Sequence, residues 1–279
     1  MILIVDTGPL AVIEDLGRPG LAHLGVPPSG AADRASCGLA NRLVGNDEID
    51  AVIEVTFGGL IIAADQLHWV AVTGPPTQLW IDDQPTASHA ALPLRPGQRL
   101  RIDPPVRGVR NYLAARGGLQ MPKTLGSRST DVLSGLGPAP LRRGTTIQVG
   151  QPTGSLPGID VAPQRVPSKD LEVFPGPRRD WFTGEAWARL VSEQWTVSAD
   201  ADRIGIRFEG PELDRRIAEE LPSEGLIRGA VQVPAGGQPL VFLADHPVTG
   251  GYPVIAVLSD VSADHAAQLR PGDHVRFHG

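Results

Sequence analysis

Glycine and proline are the feature of this sequence that most restricts its fold. The 279 residues include 33 glycines and 27 prolines, about a fifth of the chain against roughly 12% in an average protein. They are spread along the chain as P-G, G-G and G-P pairs and form no single rich block. Such pairs favour tight turns between regular elements. The pattern therefore predicts a mainly β fold with few helices, built from short strands as barrels or sandwiches.

The composition restricts the class of protein. Hydrophobic residues make up 41% of the chain and charged residues 20%, which is typical of a globular protein. A net charge of −6 counts against nucleic-acid binding, and the single cysteine, Cys37, counts against a disulfide framework or a cysteine metal cluster. No apolar run approaches the roughly 20 residues of a membrane helix, and the first residues lack a basic signal-peptide region. We therefore expect a cytoplasmic protein.

Apolar runs bounded by turn signals predict the regular elements. The predicted strands are at 3–5, 10–14, 51–57, 60–64, 68–74, 78–82, 99–102, 110–118, 171–174, 203–210, 230–234, 240–245, 252–258 and 274–277. Helical spacing predicts three helices, at 28–46, at 183–195 and at 262–269, the last with Ser262 as its N-cap.

A proline-rich stretch suggests how the chain divides. Residues 151–169 hold four prolines and few large apolar residues, so they are the candidate linker. We expect two lobes, 1–160 and 161–279, with an approximate boundary because an N-terminal strand could complete the distant barrel. The runs "LRPGQRLRI" (94–102) and "LRPGDHVRF" (269–277) are similar. They are either a common β-turn or a closing device shared by two related lobes.

Several familiar catalytic motifs are absent from the sequence. There is no G-x-x-x-x-G-K-[ST] loop for phosphates, no H-E-x-x-H zinc motif and no G-x-S-x-G nucleophile elbow. The run "GSRST" (126–130) fails the spacing of that elbow. What remains is three clusters of polar residues on glycine turns.

The first polar cluster lies near the N-terminus. The run "EDLGRPG" (14–20) contains Asp15 and Arg18, and "GVPPSGAAD" (25–33) follows it and ends at Asp33 in the first turn of the predicted helix. An acid there complements the helix dipole. Alternatively, the same helix start could bind an anion through backbone N–H groups. Both interpretations stay open.

The other two clusters lie in the C-terminal third. In "LPSEGLIRGAVQVP" (221–234), Glu224 precedes a glycine, and Gln232 either faces solvent or, inside a barrel, offers a hydrogen-bonding group to a ligand. In "LADHPVTGGYP" (243–253), Asp245 ends a strand before a glycine turn. The carboxylate, a hydroxyl and the turn amides could form an oxyanion-binding or carboxylate-binding corner. The residues of that corner are Asp245, Thr249, Gly250, Gly251 and Tyr252. Ordinary turns use the same residue types, so the pattern supports a small-molecule site but names no substrate.

Four runs occur together in this chain. They are "EDLGRPGLAHLGVPPSGAADRASCGLANRLVGN", "AVIEVTFGG", "YLAARGGL…LGSRST" and the run from "PSEGLIRGAVQVP" through "LADHPVTGGYP" to "LRPGDHVRF". In this combination they resemble the allophanate hydrolase subunit 2 family. That family includes the 5-oxoprolinase C-subunit (PxpC) proteins, the KipA proteins and the carboxyltransferase region of urea carboxylase. The resemblance covers nearly the whole chain.

The resemblance implies a fold, partners and an activity. It implies two cyclophilin-like β-barrel lobes and a partner of the allophanate hydrolase subunit 1 (KipI or PxpB) type. A PxpA-like (LamB/YcsF) subunit is implied in the 5-oxoprolinase case. The implied activity is ATP-dependent opening of 5-oxoproline to glutamate, with ATP as co-substrate of the complex. The alternatives are a biotin-dependent carboxyltransferase subunit, or a KipA-type regulatory module that binds a KipI-like protein.

Under the hydrolase interpretation, the polar clusters would carry the chemistry. Arg18 would hold a carboxylate or phosphate in a bidentate manner. One of three acids, Asp15, Glu224 or Asp245, would be the general base. Gln232 and the glycine-turn amides would stabilise the oxyanion.

The sequence departs from the family pattern at two places. The family usually has glutamine at the position of Glu14, and it usually has a polar stretch at the position of His246-Pro247-Val248. Because proline and valine offer fewer hydrogen bonds, these departures bear on the substrate more than on the fold.

Overall fold

The chain forms two compact units. The computed structural model describes residues 1–159 and 161–279. The first unit comprises Met1–Arg18, Ser29–Asp131 and Gly135–Val166, and the second comprises Pro19–Pro28, Val132–Ser134 and Pro167–Gly279. The boundary predicted at residue 160 falls on a position outside the described residues. The main division in the structure comes a few residues later, after Val166.

The described residues of the first unit form twelve strands and one helix. They are β1 (Ile2–Thr7), β2 (Leu10–Glu14), α1 (Arg34–Val44), β3 (Val52–Thr56), β4 (Leu60–Ala64), β5 (His68–Thr73), β6 (Leu79–Ile81), β7 (Gln84–Thr86), β8 (Leu92–Leu94), β9 (Arg99–Ile102), β10 (Arg110–Ala115), β11 (Leu119–Gln120) and β12 (Thr146–Val149). They build a seven-stranded sheet, in the order β11-β12-β1-β4-β9-β6-β7, and a five-stranded sheet, in the order β2-β3-β10-β5-β8.

The inner faces of the two sheets share one hydrophobic core. Side chains alternate between the two faces of a strand, so in β1 Ile2 and Ile4 are fully buried while Leu3 is exposed. Ile53 in the second sheet and Leu100 in the first belong to the same buried cluster. Burial of such apolar surface stabilises the fold by roughly 25 cal/mol per Å².

Helix α1 covers the outer face of the five-stranded sheet. Its residues Ala40, Leu43 and Val44 pack with Tyr112 and Ala114 of β10. The helix begins at Arg34, later than the predicted start at residue 28, because the residues before it form a loop and Asp33, in an extended conformation, is the N-cap of the helix. The register pairs Tyr112 with Glu54 and Glu54 with Val12, so an acid and a phenol lie on the face that the helix covers.

The second unit contains nine strands, two α-helices and two short 3₁₀ helices. They are 3₁₀ Ala22–Leu24, β13 (Asp170–Pro175), 3₁₀ Arg179–Trp181, α2 (Gly184–Ser192), β14 (Gln194–Ala201), β15 (Gly205–Glu209), β16 (Glu224–Gly225), β17 (Ala230–Gln232), β18 (Leu240–Phe242), β19 (Thr249–Gly250), β20 (Val254–Leu258), α3 (Asp260–Ala266) and β21 (His274–His278). Seven strands close a barrel in the order β13-β20-β17-β18-β15-β14-β21, and β16 pairs with β19. An aromatic cluster of Trp195, Phe208 and Phe277 packs in this unit.

The boundaries of the other two predicted helices are also wrong. The helix predicted at 183–195 ends at Ser192, because Trp195 lies in β14, where it pairs with Val275 of β21. The helix predicted at 262–269 begins at Asp260, with Ser259 as its N-cap. The hydroxyl of Ser262 instead accepts a hydrogen bond of 2.8 Å from the backbone N–H of Glu172.

Several strand predictions also need correction. The strand predicted at 110–118 ends at Ala115, and the strand predicted at 240–245 ends at Phe242. The prediction of a mainly β protein with a few short helices is confirmed. Among the described residues, no helix has the length and apolar character needed to cross a membrane.

Candidate functional site

The carboxylate of Asp15 is an acceptor for four hydrogen bonds in the first unit. Oδ1 accepts from the backbone N–H of Gly17 at 2.7 Å and from the hydroxyls of Ser127 and Ser129 at 2.6 Å each. Oδ2 accepts from the backbone N–H of Arg128 at 2.7 Å. The side chain therefore joins the turn of the opening run to a loop more than a hundred residues later.

That loop, 124–131, was missed as a partner by sequence reasoning. The sequence indicated that "GSRST" fails as a nucleophile elbow and that "LGSRST" belongs to the family pattern, but no local pattern connects this loop with Asp15. In the structure Ser129 Oγ donates to Asp15 Oδ1 and also accepts from the backbone N–H of Asp15 at 2.9 Å. Ser129 is completely buried. The two serines are therefore part of the candidate site.

Arg18 is almost completely buried, with 2% of its surface exposed. Its Nε donates to the Thr124 carbonyl at 3.3 Å, and its Nη2 donates to the Ser129 carbonyl. Nη1 is buried and makes no hydrogen bond to any described residue. Two of the three guanidinium nitrogens are thus bound to the loop, and Nη1 is the one left for another acceptor.

A glycine lets this loop approach the arginine closely. Gly137 has φ +85°, and a Cβ atom there would lie 2.0 Å from the Ser129 carbonyl oxygen and 3.2 Å from Arg18 Nη2. A side chain at this position would displace the carbonyl that binds the guanidinium.

Asp33 is the N-cap of α1. Its Oδ1 accepts from the backbone N–H of Ser36 at 3.0 Å, and its Oδ2 accepts from the Ser36 hydroxyl at 2.7 Å. This is the capping role expected of an acid at a helix start. Just before it, the backbone N–H of Ala31 donates to the carbonyl of Asp15 at 2.9 Å, which ties this segment to the opening turn.

A buried acid and a phenol, both missed from the sequence, bind the same segment. Glu54 Oε2 accepts from the backbone N–H of Ala32 at 3.0 Å and from the hydroxyl of Tyr112 at 2.9 Å. The Tyr112 hydroxyl in turn accepts from the backbone N–H of Asp33 at 2.7 Å. Burial, and then the charge of Glu54, raise the pKa of Tyr112 well above its ordinary value, so the phenol stays protonated as a donor. Arg110 forms an ion pair with Glu54 at 3.4 Å.

The free cysteine lies among these acids. Burial is the largest cause of a raised pKa for the Cys37 thiol, followed by the negative charges of Glu54, Glu14, Asp33 and Asp15. Glu14, the residue that departs from the family pattern, is fully buried. Its strand partner is Val52, so it faces the helix-covered side of the sheet.

In the second unit, Glu224 is paired with an arginine that the sequence did not suggest. Arg178 Nε lies 2.9 and 3.0 Å from the two carboxylate oxygens, and its Nη2 also donates to Oε1. The hydrogen bonds from Arg178 lower the pKa of Glu224 below its usual value, so the carboxylate is ionised at neutral pH. In β16, Glu224 is the strand partner of Gly250 in β19.

Gln232 is buried and faces the glycine turn. Its Nε2 donates to the carbonyl of Tyr252 at 2.7 Å, and only 2% of its surface is exposed. A Cβ atom at Gly250 would lie 2.8 Å from the same Nε2. Gln232 therefore does not face solvent, and the hydrogen bond that the structure shows goes to the chain itself; its role toward a ligand stays a prediction. Together with the Glu224–Gly250 pair, this hydrogen bond brings the second polar cluster and the Thr249–Tyr252 turn to one place.

Asp245 is engaged in a buried ion pair. Arg203 Nε donates to its Oδ2 at 2.9 Å and Nη2 to its Oδ1 at 3.0 Å, with side-chain exposures of 2% for the arginine and 0% for the acid. The backbone N–H of Val132 also donates to Oδ2 at 3.0 Å. These contacts occupy the carboxylate on both oxygens.

Comparisons with known proteins place the chain in a family. Residues 24–279 match the family model described as carboxyltransferase domain, subdomain A and B. The C-subunit of 5-oxoprolinase from Escherichia coli is 33% identical over 99% of this chain and 90% of its own length. The urea amidolyase of Lachancea kluyveri is 32% identical over 98% of this chain, which corresponds to 16% of that protein.

Solved structures resemble this chain over its whole length. The crystal structure of TTHA0988 superposes with a TM-score of 0.91 and 34% identity over the whole of this chain, which spans 56% of that solved chain. The family model and the relatives together confirm the resemblance inferred from the four sequence runs. The chain therefore belongs to the carboxyltransferase domain family, which includes the 5-oxoprolinase C-subunit and the corresponding region of urea amidolyase.

Proposed function

We propose that this chain is a subunit of an ATP-dependent 5-oxoprolinase that opens 5-oxoproline to glutamate. It would act with an allophanate hydrolase subunit 1 (KipI or PxpB) type partner and a PxpA-like (LamB/YcsF) subunit. The observation that carries the proposal is the extent of the match, which spans 90% of the 5-oxoprolinase C-subunit but 16% of urea amidolyase.

The chemistry of a lactam sets what the residues must do. An amide carbonyl is a poor electrophile, and ATP, as co-substrate of the complex, would supply the activation of its oxygen. The sequence of this chain lacks the G-x-x-x-x-G-K-[ST] phosphate loop. The contribution of this chain is then to bind the substrate, to orient it and to move a proton.

Accessibility favours Glu224 as the general base. The Glu224 side chain is 31% exposed, whereas that of Asp245 is fully buried and 6% of the surface of Asp15 is exposed. Water can therefore reach Glu224 more easily than the other two acids. The Arg178 hydrogen bonds keep Glu224 ionised, which is the form that accepts a proton, although the lowered pKa also makes it a weaker base than an unpaired carboxylate.

The other predicted residues would bind and orient. In the first unit, Arg18 Nη1 would donate to an oxygen of a bound ligand, although its other two nitrogens are bound to the 124–131 loop. Gln232, which uses one amide hydrogen on Tyr252, would offer the other with the Gly250 and Gly251 amides to a developing oxyanion. Asp15, which accepts four hydrogen bonds, would hold in place the loop that positions Arg18.

A paired substitution tests the general base. In the reconstituted complex, Glu224→Gln should lower kcat by about 10²–10⁴-fold, and Glu220→Gln, an exposed acid nearby, should leave kcat unchanged. Equal kcat values for Glu224→Gln and the wild type would remove Glu224 from the mechanism. If the wild-type complex hydrolyses ATP at the same rate with and without 5-oxoproline, the proposed function itself is wrong.

A second candidate function is biotin-dependent carboxyl transfer to urea or a related amide. The carboxyltransferase family model and the match to urea amidolyase favour it. Biotin would then be the carrier of the carboxyl group on a separate protein. Activity abolished by avidin would identify this function and exclude the first.

A further inference from the structure

Among the described residues, Arg215 in the second unit has no carboxylate partner. Its Nη2 donates to the carbonyl of Val233, and its guanidinium carbon lies 5.8 Å from the centre of the Tyr252 ring. Nε is buried and makes no hydrogen bond to the described part of the chain. No described acid forms an ion pair with it, and burial lowers the pKa of Arg215 below its usual value.

The nearest acid in sequence is already engaged with another arginine. Asp214 Oδ2 lies 3.3 Å from Arg189 Nη1, and that nitrogen also donates to the carbonyl of Glu212. A guanidinium that is partly removed from water is normally paired with an anion, because its desolvation is otherwise unfavourable. Arg215 thus has the environment of a residue whose anion comes from a ligand.

A cavity lies beside this arginine. It has a volume of about 270 Å³ and is lined by Arg215, by the apolar residues Leu213 and Pro234, and by Glu212 and Asp214. Sites for drug-sized ligands are about 300–1,000 Å³. This cavity is smaller, so it suits a molecule with one ring and is too small for a nucleotide.

The cavity adjoins the strands that carry the predicted site. Arg215 binds the carbonyl of Val233, the residue after Gln232, and the backbone N–H of Val233 donates to the Pro253 carbonyl at 3.1 Å. Gln232 and Tyr252 are themselves hydrogen-bonded across the same pair of segments. A ligand held by Arg215 would therefore lie next to the Tyr252 turn.

We propose that Arg215 and this cavity bind the carboxylate of a small carboxylic acid. A carboxylate and a phosphate share the oxyanion chemistry that a guanidinium recognises. The acids Glu212 and Asp214 in the lining disfavour a dianionic phosphate more than a monocarboxylate, because like charges repel. This inference rests on the proposed function only for the identity of the acid, since 5-oxoproline carries one carboxylate and has the appropriate size.

The test is a binding measurement on the full chain, alone and in its complex, by isothermal titration calorimetry. The probes are 5-oxoproline, 2-pyrrolidinone (the same lactam ring without the carboxylate) and inorganic phosphate. We expect 5-oxoproline to bind, 2-pyrrolidinone to bind at least tenfold more weakly, and phosphate not to compete. Arg215→Gln should weaken 5-oxoproline binding by roughly 10–100-fold, the loss of one charge-assisted contact.

The neighbouring arginine supplies a matched control. Arg216 is exposed and donates to the carbonyl of Asp180, so Arg216→Gln should bind 5-oxoproline like the wild type. Arg215→Lys keeps the charge and should retain part of the affinity. Unchanged thermal unfolding of each variant shows that the fold is intact.

Three results would overturn the inference: wild-type affinity in Arg215→Gln, equal binding of 2-pyrrolidinone, or displacement of 5-oxoproline by phosphate. The last would identify a phosphoryl ligand instead. Failure of the inference differs from failure of the proposed function. An active complex whose KM for 5-oxoproline is unchanged in Arg215→Gln rejects only the inference. Arg215-dependent binding in a complex with no 5-oxoproline turnover rejects only the function.

Discussion

The hydroxyl of Tyr112 donates a hydrogen bond of 2.9 Å to Glu54 Oε2, and both side chains are completely buried. The same hydroxyl accepts from the backbone N–H of Asp33, so one phenol links an acid in the sheet to the cap of α1. The segment that leads into the helix is held by side chains of the sheet beneath it, and its position depends on their polar groups.

Removing that hydroxyl should destabilise the first unit. Tyr112→Phe leaves the Asp33 N–H without its acceptor and takes one donor from Glu54, so the free energy of unfolding should fall by about 1–3 kcal/mol. Urea denaturation measures it. Tyr252→Phe, at an exposed tyrosine, is the control and should change stability by less than about 0.5 kcal/mol. Equal effects of the two substitutions would show that the Tyr112–Glu54 hydrogen bond contributes nothing specific.

Asp245, which the sequence suggested as a catalytic acid, should contribute to stability through its buried ion pair with Arg203. Asp245→Asn removes the charge that faces a buried guanidinium and should cost about 3–5 kcal/mol of stability. The double variant Arg203→Met with Asp245→Leu removes both charges and should be less destabilised than Asp245→Asn. Thermal or urea unfolding of the single and double variants checks the order. A double variant less stable than the single one would contradict this account.

Because the pKa of the Cys37 thiol is raised, the stability of the protein should decrease as the pH rises in the alkaline range. Because the folded protein keeps the thiol protonated, its contribution is fully present below the ordinary thiol pKa of about 8.5 and declines as the pH rises above it. The decline approaches about 1.4 kcal/mol per pH unit. Cys37→Ala should remove this decline, whatever its effect at neutral pH. Parallel slopes for the wild type and Cys37→Ala between pH 8 and 10 would contradict the prediction.

Asp15 should control access to the 124–131 loop. In Asp15→Ala the loop loses the carboxylate that accepts from Ser127, Arg128 and Ser129. A loss of about 1.4 kcal/mol of local stability raises the open population tenfold, so trypsin should cut at Arg128 about tenfold faster. Asp6→Ala, at an exposed acid of β1, is the matched control. The same cleavage rate in Asp15→Ala and the wild type would show that the loop is held by other contacts.

The sequence predicted the β class well because turn residues act locally. Glycine and proline mark many of the turns between the short strands, although Gly38 lies inside α1 and Pro93 inside β8. The order in which the strands pair was not predicted from the sequence. The prediction of secondary structure failed where pairing with distant strands determines whether a segment is a helix or a strand. The helical pattern of "TGEAWARLVSEQW" continues to Trp195, but pairing with β15 and β21 makes the residues from Gln194 a strand.

The candidate site was predicted less completely, because its contacts join distant segments. Asp15 was singled out from its turn, but Ser127 and Ser129 reach it from loop 124–131 and have no local signature. Glu54 carried a usable signal, since an acid flanked by apolar residues on both sides in "VIEVT" is unusual for a solvent face. Arg215 carried none, because neither its spacing nor its neighbours mark a pocket.

The most direct test of the proposed function is glutamate formation by the reconstituted complex. The chain is purified with its subunit 1 and PxpA-like partners, and glutamate and ADP are measured with 5-oxoproline and ATP, in the presence and absence of avidin. We expect one glutamate for each ATP hydrolysed, no reaction when this chain is omitted, and no effect of avidin. Absence of glutamate from the full complex, or complete inhibition by avidin, would contradict the proposed 5-oxoprolinase function.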